Sequence, residues 1–102
     1  MKHTHKIKIA NRALGDLKAI ARYIYRDSPQ NAAMVSDRLL EEIEGLKSMP
    51  DRFKFVTYSR KKKFPVHALT VRPFIVYYRV EPEVVFVLNI NYGAQRQPRR
   101  FE

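Results

Sequence analysis

The sequence predicts one α+β domain in which an N-terminal strand and a two-helix hairpin precede a three-stranded antiparallel sheet. Three observations predict this fold. Apolar residues recur three or four positions apart from Ala13 to Leu46, with a break at Pro29, as in two amphipathic helices that meet at a corner. Apolar and polar residues then alternate between Val66 and Asn91, as in half-buried strands. A chain of 102 residues is the size of a single domain.

The first strand is predicted from His5 to Ala10, where isoleucines alternate with lysines. The first helix follows and runs to about Arg26. Asn11 is expected to be its N-cap, because an asparagine side-chain oxygen accepts a hydrogen bond from a free amide of the first turn. Asp16 lies close enough to the N-terminus to interact favourably with the helix dipole. The predicted buried stripe consists of Leu14, Leu17, Ile20, Ala21 and Ile24.

The corner between the helices is predicted at Ser28 and Pro29. Pro29 disfavours helical geometry at the residue before it and is pre-organised for the first position of a new helix. Ser28 is a suitable cap for that helix, which is predicted to run from Pro29 to about Ser48. Its buried stripe consists of Ala32, Val35, Leu39, Ile43 and Leu46.

The region from Arg52 to Lys63 has no clear period and is predicted to be a loop that exposes its basic end. Strands are predicted at about 66–71, 74–80 and 84–91, and their short connections make them antiparallel neighbours. The face toward the helices is expected to carry Leu69, Val71, Phe74, Val76, Tyr78, Val80, Phe86, Leu88 and Ile90. The opposite face is expected to show Thr70, Ile75, Tyr77, Arg79, Asn89 and Asn91. Residues 95–102 are predicted to form a flexible basic tail.

The charge of the chain is its strongest functional signal. Twenty lysines and arginines against ten aspartates and glutamates give a formal net charge of +10. Residues 59–102 hold nine basic and three acidic residues. The electrostatic field of such an excess of positive charge attracts nucleic acid, an acidic protein or an anionic membrane surface. The polar N-terminus lacks the apolar segment of a signal peptide, and no apolar run is long enough to span a bilayer. We therefore expect a cytoplasmic protein.

Metal and cofactor chemistry is not indicated by the residues. The chain has no cysteine, which excludes disulfides, thiolate chemistry and zinc held by cysteine. Its three glycines are too far apart for a phosphate-binding loop. A basic and aromatic set in the sheet half remains. Its members suit either a nucleic-acid-binding surface or metal-independent RNA cleavage, which needs a base, an acid and cations at the phosphate.

The order and spacing of several motifs resemble the ParE/RelE superfamily of bacterial toxin–antitoxin toxins, and the ParE-like plasmid stabilisation branch in particular. The resemblance covers about residues 6–96. The motifs are Ala13-x-x-Asp16-Leu17-x-x-Ile20-x-x-Tyr23-Ile24, Ser28-Pro29-x-x-Ala32, Leu46-x-x-x-Pro50, Leu69-x-Val71 and Phe74-x-Val76-x-Tyr78-Arg79-Val80. The long helical hairpin favours the ParE-like branch, because RelE-like ribonucleases tend to have shorter helices there.

The resemblance implies a growth-arresting toxin without a cofactor. It implies a cognate acidic antitoxin that wraps the toxin, and a heterotetramer or larger complex between the two. ParE-like members are associated with inhibition of DNA gyrase, whereas RelE-like members cut mRNA on the ribosome. An inactivated relative that only binds the antitoxin is the third alternative. A net charge of +10 suits an acidic partner.

The sequence departs from the superfamily at the positions that carry ribonuclease chemistry. His67 stands where an arginine often opens the second strand of the sheet, and Tyr92 stands where a histidine is common. If the ribonuclease site is retained, the resemblance implies Arg79, Tyr92 and Arg96 as its catalytic residues. Contacts with the target or the antitoxin are predicted for Arg60, Lys61, Lys62, Lys63, His67, Arg72 and Tyr77.

Overall fold

A computed structural model describes residues 4–93, 97–98 and 101. In these residues two helices pack on one face of a five-stranded sheet with the strand order β1-β5-β4-β3-β2. Strand β1 runs parallel to β5, and the other neighbours are antiparallel. The elements are β1 (Lys6–Ile9), α1 (Asn11–Asp27), α2 (Pro29–Glu44), β2 (Lys54–Tyr58), β3 (Pro65–Val71), β4 (Phe74–Val80) and β5 (Val84–Tyr92). In the described ranges no helix has the length and apolar character needed to cross a bilayer.

The predicted corner between the helices is confirmed. The amide of Asn31 donates to the Ser28 hydroxyl oxygen over 3.2 Å, and Pro29 is the first residue of α2. Helix α2 is shorter than predicted, because its final turn tightens into a 3₁₀ turn at Gly45–Lys47. Such tightening is a common way to satisfy the free carbonyls of a helix end.

The predicted cap of α1 is wrong by one residue. Ala10 is the N-cap, and no side chain caps this end of the helix. The pairing of the N-terminal strand extends through Ala10, whose amide donates to the Val87 carbonyl over 2.9 Å. The same residue accepts the first helical hydrogen bond, from the amide of Leu14. The chain therefore changes from strand to helix at Ala10, and Asn11 is already helical.

The predicted loop from Arg52 to Lys63 contains a strand. Residues Lys54–Tyr58 form β2 at one edge of the sheet and pair with β3. The register shifts between Phe55 and Thr57, because β2 has one more residue than β3 between these two pairs. A bulge of this kind interrupts the alternation of apolar and polar residues, which is why the sequence shows no strand period here.

A second bulge changes which residues of β5 face the helices. Tyr78 pairs with Val87, but Tyr77 pairs with Asn89, so one residue of β5 is left between the two pairs. Val85 and Val87 are in the core under the helices. The prediction that Phe86 and Leu88 lie in that core is wrong. Strict alternation from Ile90 would place them there, but the extra residue between Val87 and Asn89 shifts the alternation by one position. Ile90, beyond the bulge, is in the core as predicted.

The main core lies between the helical hairpin and the sheet face that we call the helix face. Its buried members are Ala13, Leu39, Ile43, Leu46, Leu69, Val71, Phe74, Val76, Tyr78, Val85, Val87 and Ile90. A smaller cluster of Val66, Tyr77 and Phe101 lies on the opposite face. The amide of Arg60 donates to the Phe101 carbonyl over 2.9 Å. At Phe101 the structure thus differs from the expected flexible tail, because this ring covers apolar surface of the sheet.

Candidate functional site

Arg79 is held by two neighbours rather than directed toward solvent. Its Nε atom donates to Glu81 Oε2 over 3.0 Å, and its Nη2 atom lies 2.9 Å from the same oxygen. The guanidinium also lies over the Phe86 ring, 4.7 Å from the centroid. An ion pair of this kind largely offsets the positive charge that a catalytic arginine offers to a phosphate. The contacts of Arg79 are those of a structural residue.

Tyr92 lies far from Arg79. It pairs with Phe74 across the two strands, and the two rings meet edge to face at 5.8 Å. Arg79 pairs with Phe86 and is five positions from Phe74 along β4, which corresponds to roughly 17 Å at ~3.4 Å per residue. Alternation also places Arg79 and Tyr92 on opposite faces of the sheet. The structure does not bring these two predicted catalytic residues together.

The third predicted catalytic residue, Arg96, lies outside the described residues. Within residues 4–93, 97–98 and 101, no three histidine, aspartate or glutamate side chains are grouped as metal ligands. The described residues therefore contain neither the assembled ribonuclease set that the resemblance implies nor a cluster of metal ligands.

His67 and Tyr77 are buried, which is a correction to their predicted place on a binding surface. They are 5% and 3% exposed. The Nδ1 atom of His67 lies 2.9 Å from the Phe53 carbonyl and donates to it, since a carbonyl oxygen only accepts. Its ring stacks on Tyr78, whose hydroxyl donates to the Pro50 carbonyl. His67 thus joins the sheet to the segment that follows α2.

Burial also governs the chemistry of the two tyrosines in the middle of β4. Removal from water raises the pKa of Tyr78 well above its ordinary value, and the nearby Asp51 charge raises it further while Arg52 lowers it. Burial raises the pKa of Tyr77 as well. Both phenols are therefore neutral near pH 7 and are poor candidates for a general base.

The predicted basic run is exposed in the turn between β2 and β3. Residues 60–63 are all exposed. The turn is fixed from inside by the buried Ser59, whose amide donates to the Phe64 carbonyl and whose hydroxyl accepts from the Phe64 amide. Arg72 is also exposed, in the connection between β3 and β4. These five cations remain available for contact with a partner.

Two exposed aromatic residues lie beside the basic run, and sequence reasoning did not assign them a function. Phe55 and Tyr58 are 46% and 58% exposed, and their rings meet at 5.1 Å. Phe55 also packs edge to face against the buried His67, so Tyr58, Phe55 and His67 form a row of rings in contact. The sequence from Arg52 to Arg72 contains no acidic residue. The aromatic–basic surface, as we call it, consists of Lys54, Phe55, Tyr58 and residues 60–63.

An apolar groove lies on the helix face, between α1 and the ends of β4 and β5. It encloses about 610 Å³. Its lining includes Asp16, Ala19, Ile20, Tyr23, Ile24, Val35, Pro73, Phe74, Ile90 and Tyr92. The Asp16 carboxylate accepts a 2.8 Å hydrogen bond from the Ile90 amide and so fixes α1 against β5. A groove of this size and lining suits the apolar side chains of another protein.

Comparison with known proteins assigns the chain to a family. Residues 7–97 match the family described as ParE toxin of the type II toxin–antitoxin system parDE. Toxin RelE2 of Caulobacter vibrioides is 30% identical over 84 residues, which cover 82% of this chain and 90% of that protein.

Two solved toxin–antitoxin structures contain a similar fold. A chain of the chromosomal ParDE system from P. aeruginosa superposes with a TM-score of 0.68 and 24% identity, over 88% of this chain and 97% of that one. A chain of the archaeal RelE–RelB complex from Pyrococcus horikoshii OT3 gives a TM-score of 0.63 at 15% identity, over 91% of this chain and 99% of that one. At these identities the likeness establishes the α+β fold.

Proposed function

This chain belongs to the family of ParE toxins of type II toxin–antitoxin systems, and we propose that it arrests growth in the cytosol by binding DNA gyrase and is neutralised by an acidic antitoxin. The separation of Arg79 and Tyr92 supports this mechanism over RNA cleavage. Both residues are present, but they lie on opposite faces and at opposite ends of the strand pair.

RNA cleavage without a metal requires groups that act on one phosphate. A base, an acid and a cation must all lie within hydrogen-bond reach of the reacting atoms. A separation of roughly 17 Å along the strand, at ~3.4 Å per residue, is several times that reach. Arg79 is in addition paired with Glu81. A toxin that acts by binding a protein needs exposed complementary surfaces instead, and the described residues include two candidates, the groove on the helix face and the aromatic–basic surface.

The groove on the helix face is the surface that we propose for the antitoxin. Its lining is mainly apolar, with the exposed Tyr23 and Tyr92 at its mouth, and it offers burial to apolar side chains of an incoming segment. The net charge of +10 attracts an acidic chain over a longer range. A disordered acidic segment that folds on binding gains from both contributions.

The aromatic–basic surface is the one that we propose for gyrase. Aromatic residues, methionine and arginine are enriched at the centres of protein interfaces, and Phe55 and Tyr58 are exposed here among five cations. The buried His67 ring packs against Phe55, so less side-chain entropy is lost on binding than for a freely rotating ring.

The test is a gyrase assay with three forms of the purified chain. We expect the unmodified chain to block DNA supercoiling or to stabilise cleaved DNA. The Phe55→Ala/Tyr58→Ala variant should lose most of that effect, because its interface anchors are gone. The Arg79→Ala/Tyr92→Phe variant should keep it. If the unmodified chain neither blocks supercoiling nor stabilises cleaved DNA, the gyrase mechanism is wrong.

A ribosome-dependent mRNA endonuclease is the second candidate, and the likeness to Toxin RelE2 favours it. In that case the chain would cleave mRNA in a translation extract, and the Arg79→Ala/Tyr92→Phe variant would lose both cleavage and toxicity. Harmless expression of the unmodified chain without its antitoxin would instead indicate a relative that only binds.

A further inference from the structure

The helical hairpin has an apolar seam on the side that faces away from the sheet. A cleft of about 590 Å³ lies between the two helices near their corner, and Ala21, Tyr25, Ala33 and Ser36 are among its lining residues. Leu14 lies seven positions before Ala21, and Leu40 lies four after Ser36, so helical spacing continues the seam toward the open end of the hairpin. Leu14, Tyr25 and Leu40 are exposed. We call these six residues the hairpin seam.

The two sides of the hairpin seam carry opposite charge. Lys18 and Arg22 lie along the α1 edge of the seam, and Asp37 and Glu41 lie along its α2 edge. Each pair has the four-residue spacing of one helix face. All four side chains are exposed. In the described part of the chain none of them forms an ion pair. The hairpin therefore presents an apolar strip between a positive α1 edge and a negative α2 edge.

We propose that the hairpin seam binds a second copy of this chain in a symmetric dimer. A two-fold axis that runs parallel to the two helices places α1 of each copy over α2 of the other. The positive edge of each copy then meets the negative edge of its partner. Lys18 is ten positions before Ser28 and Asp37 is nine positions after it, which puts them ~15 and ~14 Å from the corner at ~1.5 Å per residue. Lys18 thus lies level with the partner's Asp37.

The charge pattern also disfavours a symmetric arrangement whose two-fold axis runs across the hairpin. A two-fold axis across the hairpin would place α1 over α1, where Lys18 and Arg22 would face the same residues of the partner. Like charges opposed at an interface are costly. A partner with uniform negative charge would in turn be repelled by Asp37 and Glu41. A second copy matches both edges at once.

The area of the contact is that of a weak, reversible dimer. A hairpin of this length offers ~25 by ~20 Å, or ~500 Å² on each copy, and ~1,000 Å² in total is near the lower limit for a specific interface. Each copy carries +10, and at physiological salt a Debye length of about 8 Å damps that repulsion more than it damps charges in contact. The groove lies on another side of α1, at Ala19 and Tyr23, and stays free in the dimer.

Sedimentation equilibrium over a micromolar concentration series tests the dimer with a pair of charge-reversed variants. Lys18→Glu/Arg22→Glu makes both edges acidic, and Asp37→Lys/Glu41→Lys makes both edges basic. The unmodified chain should dimerise, and each variant alone should dimerise roughly tenfold more weakly or worse. An equimolar mixture of the two variants should form a heterodimer, because every acidic edge then meets a basic edge.

Glu42→Lys is the matched control. This residue is exposed on the flank of α2 away from the seam, so its reversal should leave the dimer intact. Circular dichroism verifies that every variant is folded. A monomeric unmodified chain at all concentrations, a mixture that does not associate, or an equal loss in Glu42→Lys would each overturn the proposal. These outcomes do not depend on gyrase inhibition or on antitoxin binding.

Discussion

The two faces of the sheet are stabilised in different ways. In the described part of the chain, twelve buried residues form the core on the helix face, and three form the cluster on the opposite face. One of those three, Phe101, comes from the end of the chain and packs on Tyr77 at 5.2 Å between ring centroids. Most of the folding free energy therefore comes from the helix face, because burial of apolar area is the main favourable contribution.

The largest effect is expected for Leu39→Ala. Leu39 is 1% exposed in the main core, and removal of a buried leucine costs about 2–5 kcal/mol through lost burial and the cavity left behind. Urea denaturation gives the free energy of unfolding. Leu40→Ala is the matched control, because Leu40 itself is 46% exposed and the variant should lose less than ~1 kcal/mol. Equal losses at the two positions would contradict the assigned orientation of α2.

Phe101→Ala measures how much the opposite face contributes. Burial of a phenylalanine side chain contributes ~1.5–3 kcal/mol, and we expect a loss of about 2 kcal/mol because the cluster is small. Phe55→Ala, at an exposed ring in the same urea assay, should change stability by less than ~0.5 kcal/mol. A Phe101→Ala variant as stable as the unmodified chain would show that the opposite face is stable without the end of the chain.

The parts of the fold that the sequence predicts well are those set by interactions between neighbouring residues. The helix–helix corner and the strands from Pro65 to Tyr92 follow from local rules, because a proline, a capping serine and regular alternation act on neighbouring residues. The bulge in β2 and the one in β5 do not follow from those rules. They are set by pairing with distant strands and leave little local signal.

The same contrast between local signals and long-range contacts applies to the predicted site residues. The exposed basic turn at residues 60–63 follows from composition, since lysines are rarely buried. The burial of His67 and Tyr77 depends on Phe53 and Phe101, which are fourteen and twenty-four positions away in the sequence. The distance between Arg79 and Tyr92 depends on strand register. No pattern in the sequence contains that information.

Alkaline pH should weaken the helix face through Tyr78. Its pKa is raised in the folded chain above the ordinary value of 10.0, so its contribution to stability is complete below about pH 10. Above that pH the unfolded chain releases the proton first, and stability falls by up to ~1.4 kcal/mol per pH unit. Urea denaturation between about pH 8 and pH 11 measures this slope.

Tyr78→Phe is the control for this pH dependence. It should be less stable at neutral pH by about 1 kcal/mol, because the hydrogen bond to Pro50 is lost. It should also lose stability less steeply above pH 10 than the unmodified chain, because only Tyr77, whose pKa burial also raises, still contributes to the slope. Identical slopes in the two proteins would show that Tyr78 ionises as freely in the folded chain as in the unfolded one.

A smaller effect than that of Leu39→Ala is expected for Arg79→Ala on the opposite face. The Phe86 ring contacts two cations there, with Lys8 Nζ at 5.7 Å and the Arg79 guanidinium at 4.7 Å from its centroid. Loss of one cation–π contact costs about 0.5–1 kcal/mol, and the partly exposed pair with Glu81 adds at most ~1 kcal/mol. Arg72→Ala, at an exposed position, should leave stability unchanged. A stability loss in Arg79→Ala with full growth arrest would identify Arg79 as a structural residue, whereas loss of toxicity at full stability would place it at a site of action.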